Sequence, residues 1–402
     1  MGVFALLLLV AAGVIVAIAA SAAIPPPVAL VVAKPPASVP GKPAAVSLPN
    51  QGESEIMTAA GQVLAGHAEN TAAPLASVTK VMTALVVLDD HPLSIGDPGP
   101  TITVSAAQAA TLPARIAEDQ SLVTVTAGEQ ISELTALQAL LIPSADNMAD
   151  ILASFDAGSL NAFVAKMNAT AKALGMTHTS YVDASGYEAG SESTASDQLL
   201  LARKAMANPV FAQIVDMSSA NLPLAGNVAN YNSLAGKNGY IGIKTGSTGA
   251  AGGCLVWAVT RKVNGIPITL FGIVLGQRNG PLVAAAINAA QALTDSAFSV
   301  FAPRTVLPAG TPVYKVTWAD QTVSSVTTKA LKTIYPPGTP AQVSLSASSP
   351  PPFSPAVGPA GSLTLSAPAS LAGEGTTGLV LDGHFRQPTL LWRVERFLGV
   401  GH

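Results

Sequence analysis

Between Val81 and Leu88 only Thr83 interrupts an apolar run, and residues 77–90 as a whole read as a helix. A helix that is apolar nearly all round has no face to give to water. It must sit inside the protein with other elements on every side, and that demand constrains the architecture more than any other feature. The flanking patterns supply the surrounding layers. Ile131, Leu134, Leu137 and Leu141 keep helical spacing until Pro143 stops the run, and another helix runs from Asn147 into Phe155. Residues 239–245 and 253–260 read as adjacent strands, Asn264-Gly265 as a turn, and residues 268–276 as the next strand with Pro267 just before it. Residues 281–301 read as an Ala-rich helix. The fold class is α/β in the broad sense (α+β), with helices and strands mixed over residues 46–303.

Past residue 303 the character changes. Residues 313–318, 322–327, 341–345, 362–365 and 378–381 are short runs parted by Gly and Pro turns, which predicts a small all-β domain over 304–388. At the other end, residues 3–24 carry no charge and span about 33 Å as a helix, enough to cross a bilayer. The small residues at 17–23 fit a cleaved signal peptide and the length fits a retained anchor, so both readings stand. Either one exports the chain. Pro25, Pro26 and Pro27 end this segment, and Pro35, Pro36, Pro40 and Pro43 make residues 25–45 a semi-rigid spacer. A second Pro-rich patch occupies residues 350–355. In the tail, residues 389–402, Leu390, Leu391, Val394, Phe397 and Leu398 share about 120° of a helical wheel, with Arg393 and Arg396 outside it. The tail reads either as an interfacial helix making a second membrane contact or as a last packing element of the β domain.

Composition removes several function classes. With 402 residues of which 49% are hydrophobic, the chain is neither disordered nor collagen-like. A net charge of −3 leaves no basic footprint, so no nucleic-acid partner is expected. The single Cys254 lies in an apolar run and reads as a small core residue. None of the five His has metal-ligand spacing to another, and no G-x-S-x-G, H-E-x-x-H, Walker or G-x-G-x-x-G pattern occurs. Neither metal nor cofactor is expected.

The chemistry points to Ser77-Val78-Thr79-Lys80, at the start of the buried helix. Residues three apart on a helix are neighbours, so the hydroxyl and the amine share a face. The helix end favours developing negative charge, and a lysine amine serves as general base when its surroundings keep it neutral. Taken alone, the quartet reads more simply as an N-cap serine beside a snorkelling lysine. Two further elements follow in order: Ser144-Ala145-Asp146-Asn147, 67 residues after Ser77, and Lys244-Thr245-Gly246, 167 residues after it.

S-x-x-K, an S-x-N-like segment and K-T-G in this order form the pattern of penicillin-binding proteins and serine β-lactamases. With the flanks Ala76–Ala84, Gly175–Gly186 and Ile243–Gly246, residues 46–301 resemble the serine D-alanyl-D-alanine carboxypeptidases, the low-molecular-mass penicillin-binding proteins, in which a β-rich C-terminal domain is also usual. The resemblance implies peptidoglycan stem peptides as substrates, β-lactams as inhibitors and an extracytoplasmic, membrane- or wall-associated location. It implies Ser77 as nucleophile, Lys80 as its base and Ser144 as proton relay to the departing D-alanine. Lys244 and Thr245 would anchor the substrate carboxylate, Gly246 would let the substrate backbone approach, and the N–H groups of Ser77 and Ser247 would form the oxyanion hole. Asp146 and Asn147 would line the substrate site, in an order that departs from the family: Asp146 stands where the family has Asn. An amide donates to a substrate carbonyl, whereas an ionised carboxylate only accepts. Either Asp146 lines the site, or Asn147 turns inward and Asp146 caps the next helix. Arg278 is near the position where the family carries an Arg. His178 and Asp183 are expected to shape a loop behind the site. The alternatives are a β-lactamase, for which Glu188 and Glu192 lack an E-x-x-x-N context; a D,D-endopeptidase; and an impaired penicillin-binding interaction protein.

Overall fold

The computed structural model describes residues 2–31, 37–42, 45–347, 359–366 and 375–400. The chain forms two compact units: Ala44–Phe301 with Ala369–Ala372, and Met1–Pro43 with Ala302–Pro368 and Gly373–His402.

In the first unit an antiparallel five-stranded sheet runs in the order Tyr240–Thr248, Gly252–Val263, Ile266–Gln277, Ser54–Thr58, Val63–His67. Asn264 and Gly265 make the hairpin between the second and third of these strands, both at positive φ (49° and 81°), as the tight primed turn requires. Pro267 lies inside the third strand rather than before it. The helix Leu282–Phe298 packs on the middle strands. The apolar run behaves as its composition demands: helix Lys80–Asp90 is buried from Lys80 through Leu88, enclosed by helices Glu133–Leu141, Asp146–Ala157, Leu160–Ala173 and Ala195–Met206. Its one polar interruption is satisfied, since Thr83 Oγ1 donates to Ala184 O at 2.6 Å.

The second unit holds a six-stranded sheet in the order Val28–Val31, Pro312–Trp318, Gln321–Thr327, Gly375–Leu381, Pro359–Ser366, Gln342–Ala347. All five short runs expected after residue 303 are strands, with shifted ends. Within the spacer the structure differs from expectation: Val28–Val31 pairs antiparallel with Pro312–Trp318, and Trp318 Nε1 donates to Pro25 O at 2.9 Å. All four side chains of this strand are exposed, so ladder hydrogen bonds rather than core burial hold it, a contribution that hydrophobic patterning does not register. Pro35, Pro36, Pro43 and the patch at 350–355 lie outside the described residues.

The N-terminal apolar segment is helix Gly2–Ser21. The tail forms helix Leu390–Phe397, N-capped by Thr389, whose Oγ1 accepts from Trp392 N–H at 3.2 Å. The two helices pack together, Trp392 is buried, and Arg393 Nη1 donates to Ala20 O at 2.7 Å. Leu390, Leu391, Phe397 and Leu398 remain exposed.

Candidate active site

Ser77 does not open an α-helix directly. It sits in a 3₁₀ turn, Ala76–Thr79, that feeds helix Lys80–Asp90. Side chains at i and i+3 of a 3₁₀ turn eclipse one another, so Lys80 stands over Ser77 and its Nζ lies 2.8 Å from Ser77 Oγ. The turn enters through Ala76 at φ 48°, a conformation that is strained for a residue with a Cβ. Gly186 lies against it so closely that a Cβ there would fall 1.8 Å from Ala76 O. Only glycine fits.

Lys80 is fully buried, and its amine makes three contacts: Ser77 Oγ, Ser185 O at 2.8 Å, and Asp146 Oδ1 at 2.5 Å. The last is a buried ion pair. A carbonyl and a carboxylate can only accept, so two amine hydrogens are committed to them and the remaining position points at Ser77. Asp146 is the first residue of helix Asp146–Ala157, with Ala145 at the N-cap, so Asp146 lines the site and is not the cap. Its charge is favourable at that helix end. Asn147 requires a correction. It was expected in the substrate site, yet it is 3% exposed and faces away, with Oδ1 accepting from Val123 N–H at 3.2 Å and Nδ2 donating to Val123 O at 2.9 Å. Its amide serves Val123 as a strand partner would.

Ser144 sits in the break after Pro143 at φ 65°, a second strained backbone in the same site. Its Oγ accepts from Lys244 Nζ at 2.9 Å, and the same amine donates to Thr245 O at 2.9 Å. Burial holds the Lys244 amine well below the ordinary lysine value, the nearby charge of Lys80 pushes the same way, and Asp146 opposes them. Gly246 has a further role. A Cβ at this position would lie 2.9 Å from Ser77 N and 3.0 Å from both Leu75 O and Val78 N. The strand thus approaches the nucleophile's own turn closely. Thr245 is 3% exposed and contributes its carbonyl to Lys244, while Ser247 reaches the open cleft. Arg278 follows the strand Ile266–Gln277 and donates to Gly249 O and Ala250 O, fixing a turn in the cleft wall.

These groups border a cleft of about 490 Å³ lined by Ser77, Asp146, Ser247 and the segment Glu118 to Ser121. Sequence reasoning missed that segment, and no motif marks it. It also placed the loop at Asp183 behind the site, whereas the loop supplies Ser185 O to Lys80 and Tyr187 to the cleft. Asp183 staples this loop by accepting from Ser185 Oγ, Tyr187 N–H and Ser191 Oγ. His178 is exposed and contacts Thr177 and Asp197. Among the described residues no group of three or more His, Cys, Asp or Glu could hold a metal ion.

Comparison with known proteins places the chain in a family. A D-alanyl-D-alanine carboxypeptidase from Mycobacterium tuberculosis is 36% identical over 232 residues, covering 55% of this chain and 74% of that one. A D-alanyl-D-alanine endopeptidase from Pseudomonas aeruginosa is 33% identical over 222 residues, covering 52% of this chain and 66% of that one. Among solved structures, the Streptomyces K15 DD-transpeptidase superposes with a TM-score of 0.55 at 27% identity, over 63% of this chain and all of that one. A penicillin-binding protein homologue from Mycobacterium tuberculosis gives 0.55 at 32% identity, over 65% of this chain and 97% of that one. Residues 52–279, more than half of the sequence, match the D-alanyl-D-alanine carboxypeptidase family, peptidase family S11, and the chain belongs to that family.

Proposed function

We propose that this chain removes the terminal D-alanine from peptidoglycan stem peptides through an acyl-enzyme on Ser77. The observation that carries this reading is the pair of lysine–serine contacts in one site, Lys80 on Ser77 and Lys244 on Ser144. Ser77 Oγ attacks the carbonyl between the two D-alanines while Lys80, as the neutral amine formed when its ammonium passes a proton to Asp146, takes the Ser77 proton; Asp146 then releases the proton it received to the open cleft. The Ser144 hydroxyl both donates and accepts, so it passes a proton between Lys244 and the departing amine. The N–H groups of Ser77 and Ser247 hold the oxyanion, each worth about 3 kcal/mol. Strand Tyr240–Thr248 is at the sheet edge with one strand partner among the described residues, which suits an extended peptide laid alongside it.

Enzymes of this family act on the cell wall outside the cytoplasm, and Gly2–Ser21 is long and apolar enough to cross a membrane. The exposed Leu390, Leu391, Phe397 and Leu398 beside it fit a second contact with the bilayer. The test of the catalytic reading is D-alanine release from a pentapeptide by wild type, Ser77→Ala and Lys80→Ala. Wild type releases D-alanine and neither variant does; release by Ser77→Ala refutes the assignment. Release confined to cross-linked dimers makes the chain an endopeptidase instead.

A further inference from the structure

A carboxylate beside the nucleophile's lysine raises a question that the peptidase reaction leaves open: what activates the water that clears the ester from Ser77? Three carboxylates line the cleft among the described residues, Glu118, Asp119 and Asp146. Glu118 is exposed and accepts from Gln120 Nε2 at 2.7 Å. Asp119 is exposed and stands in a turn at φ 55°. Only Asp146 touches the catalytic cluster. Contacts of 2.5 Å and 2.8 Å share Lys80 Nζ, so Asp146 Oδ1 and Ser77 Oγ are at most 5.3 Å apart. A gap of no more than that is within the reach of a single water with hydrogen bonds of ordinary length. Each carboxylate oxygen carries two lone pairs, so Lys80 leaves Oδ1 able to accept again, and Oδ2 makes no hydrogen bond among the described residues.

We propose that Asp146 is a catalytic residue of deacylation, and that it gives this site a β-lactam-hydrolysing activity beside its peptidase activity. The inference rests on Ser77 being the acylated residue. The water oxygen forms a bond to the ester carbonyl carbon as its proton passes to the Asp146 carboxylate. The bond from that carbon to Ser77 Oγ then breaks, and Oγ takes a proton from the Lys80 ammonium. Asp146 returns its proton to the Lys80 amine across their direct contact, which restores the ion pair. No co-reactant other than water is consumed, and the same step serves a peptidyl or a penicilloyl ester. The asparagine that the resemblance leads one to expect here could not take the proton. Lys244 and Ser144 form a separate pair, so leaving-group protonation and water activation use different groups.

The experiment follows a fluorescent penicillin on wild type, Asp146→Asn, Asp146→Gly and Ser77→Ala, reading both the rate of labelling and the lifetime of the label. Wild type labels and then sheds the label as the ring-opened acid. Asp146→Asn labels but holds the adduct about 100-fold longer, the scale of a lost general base. Sodium formate shortens the adduct lifetime of Asp146→Gly, a rescue that a purely structural role would not show. An Asp146→Asn adduct that decays at the wild-type rate overturns the proposal. So does an Asp146→Asn protein that never labels, because it would assign Asp146 to the first step. Labelling of Ser77→Ala would instead refute the nucleophile and leave the other result readable on its own.

Discussion

Gly246→Ala isolates the position of the nucleophile from its chemistry. The new Cβ would meet three backbone atoms, Ser77 N at 2.9 Å and Leu75 O and Val78 N at 3.0 Å, where ordinary contact begins near 3.4 Å. No side chain can rotate away from these contacts. The 3₁₀ turn must withdraw from strand Tyr240–Thr248 by roughly half an ångström, and it carries Ser77 Oγ and the Ser77 N–H with it. Overpacking of this kind costs about 1–3 kcal/mol, or roughly 2–10 °C in Tm for a domain of this size. Misplacing reacting groups by about 1 Å costs about 100-fold, so half that displacement predicts about a tenfold loss in the rate of acylation. The measurements are thermal unfolding and the second-order rate of labelling by a fluorescent penicillin. Asn147→Ala is the matched control, since it removes buried hydrogen bonds without pressing on Ser77. A Gly246→Ala protein that is less stable yet labels within twofold of wild type would refute the idea that this glycine sets the nucleophile's place.

Asn147→Ala itself should lower stability by about 2–3 kcal/mol in chemical denaturation, having left the backbone groups of Val123 without their partner, while each folded molecule still labels at close to the wild-type rate. Glu133 is fully buried, neither carboxylate oxygen has a hydrogen-bond partner among the described residues, and burial with help from Asp97 and Asp156 pushes its pKa from 4.5 up to about 7. The folded state therefore binds this proton more tightly than the unfolded one, and stability present below pH 4.5 is lost as the pH rises through about 7. Glu133→Gln should be more stable than wild type at pH 8, by about 3 kcal/mol, and nearly equal to it at pH 4.5, as measured by urea unfolding at both values. Removing residues 389–402 from a protein lacking residues 1–24 should abolish its sedimentation with phospholipid vesicles; unchanged sedimentation would show that the tail makes no membrane contact.

Much of the fold was legible because burial leaves a trace in the apolar residues. The run from Val81 to Leu88 read as an enclosed helix, and the short runs after residue 303 read as strands between turns. Val28–Val31 escaped notice because its ladder uses backbone groups, which every residue carries, and its side chains bury nothing. The three-residue spacing of Ser77 and Lys80 and the strand position of Lys244 likewise expressed local geometry that a motif can record.

The sequence by itself determined which side chains could do chemistry and on which elements they ride. Tertiary structure alone decided which of two adjacent polar residues faces the nucleophile. At the start of helix Asp146–Ala157 successive residues point about 100° apart. One of Asp146 and Asn147 therefore meets Lys80 while the other meets Val123, and the choice rests on where those distant segments lie. The same holds for Ser185, whose carbonyl fixes Lys80 from 105 positions away. It holds for Gly246 too, whose missing side chain makes room for a turn some 170 residues earlier in the chain. A backbone carbonyl and an absent Cβ have no distinctive signature in a sequence, because their roles exist only once remote parts of the chain have been packed together.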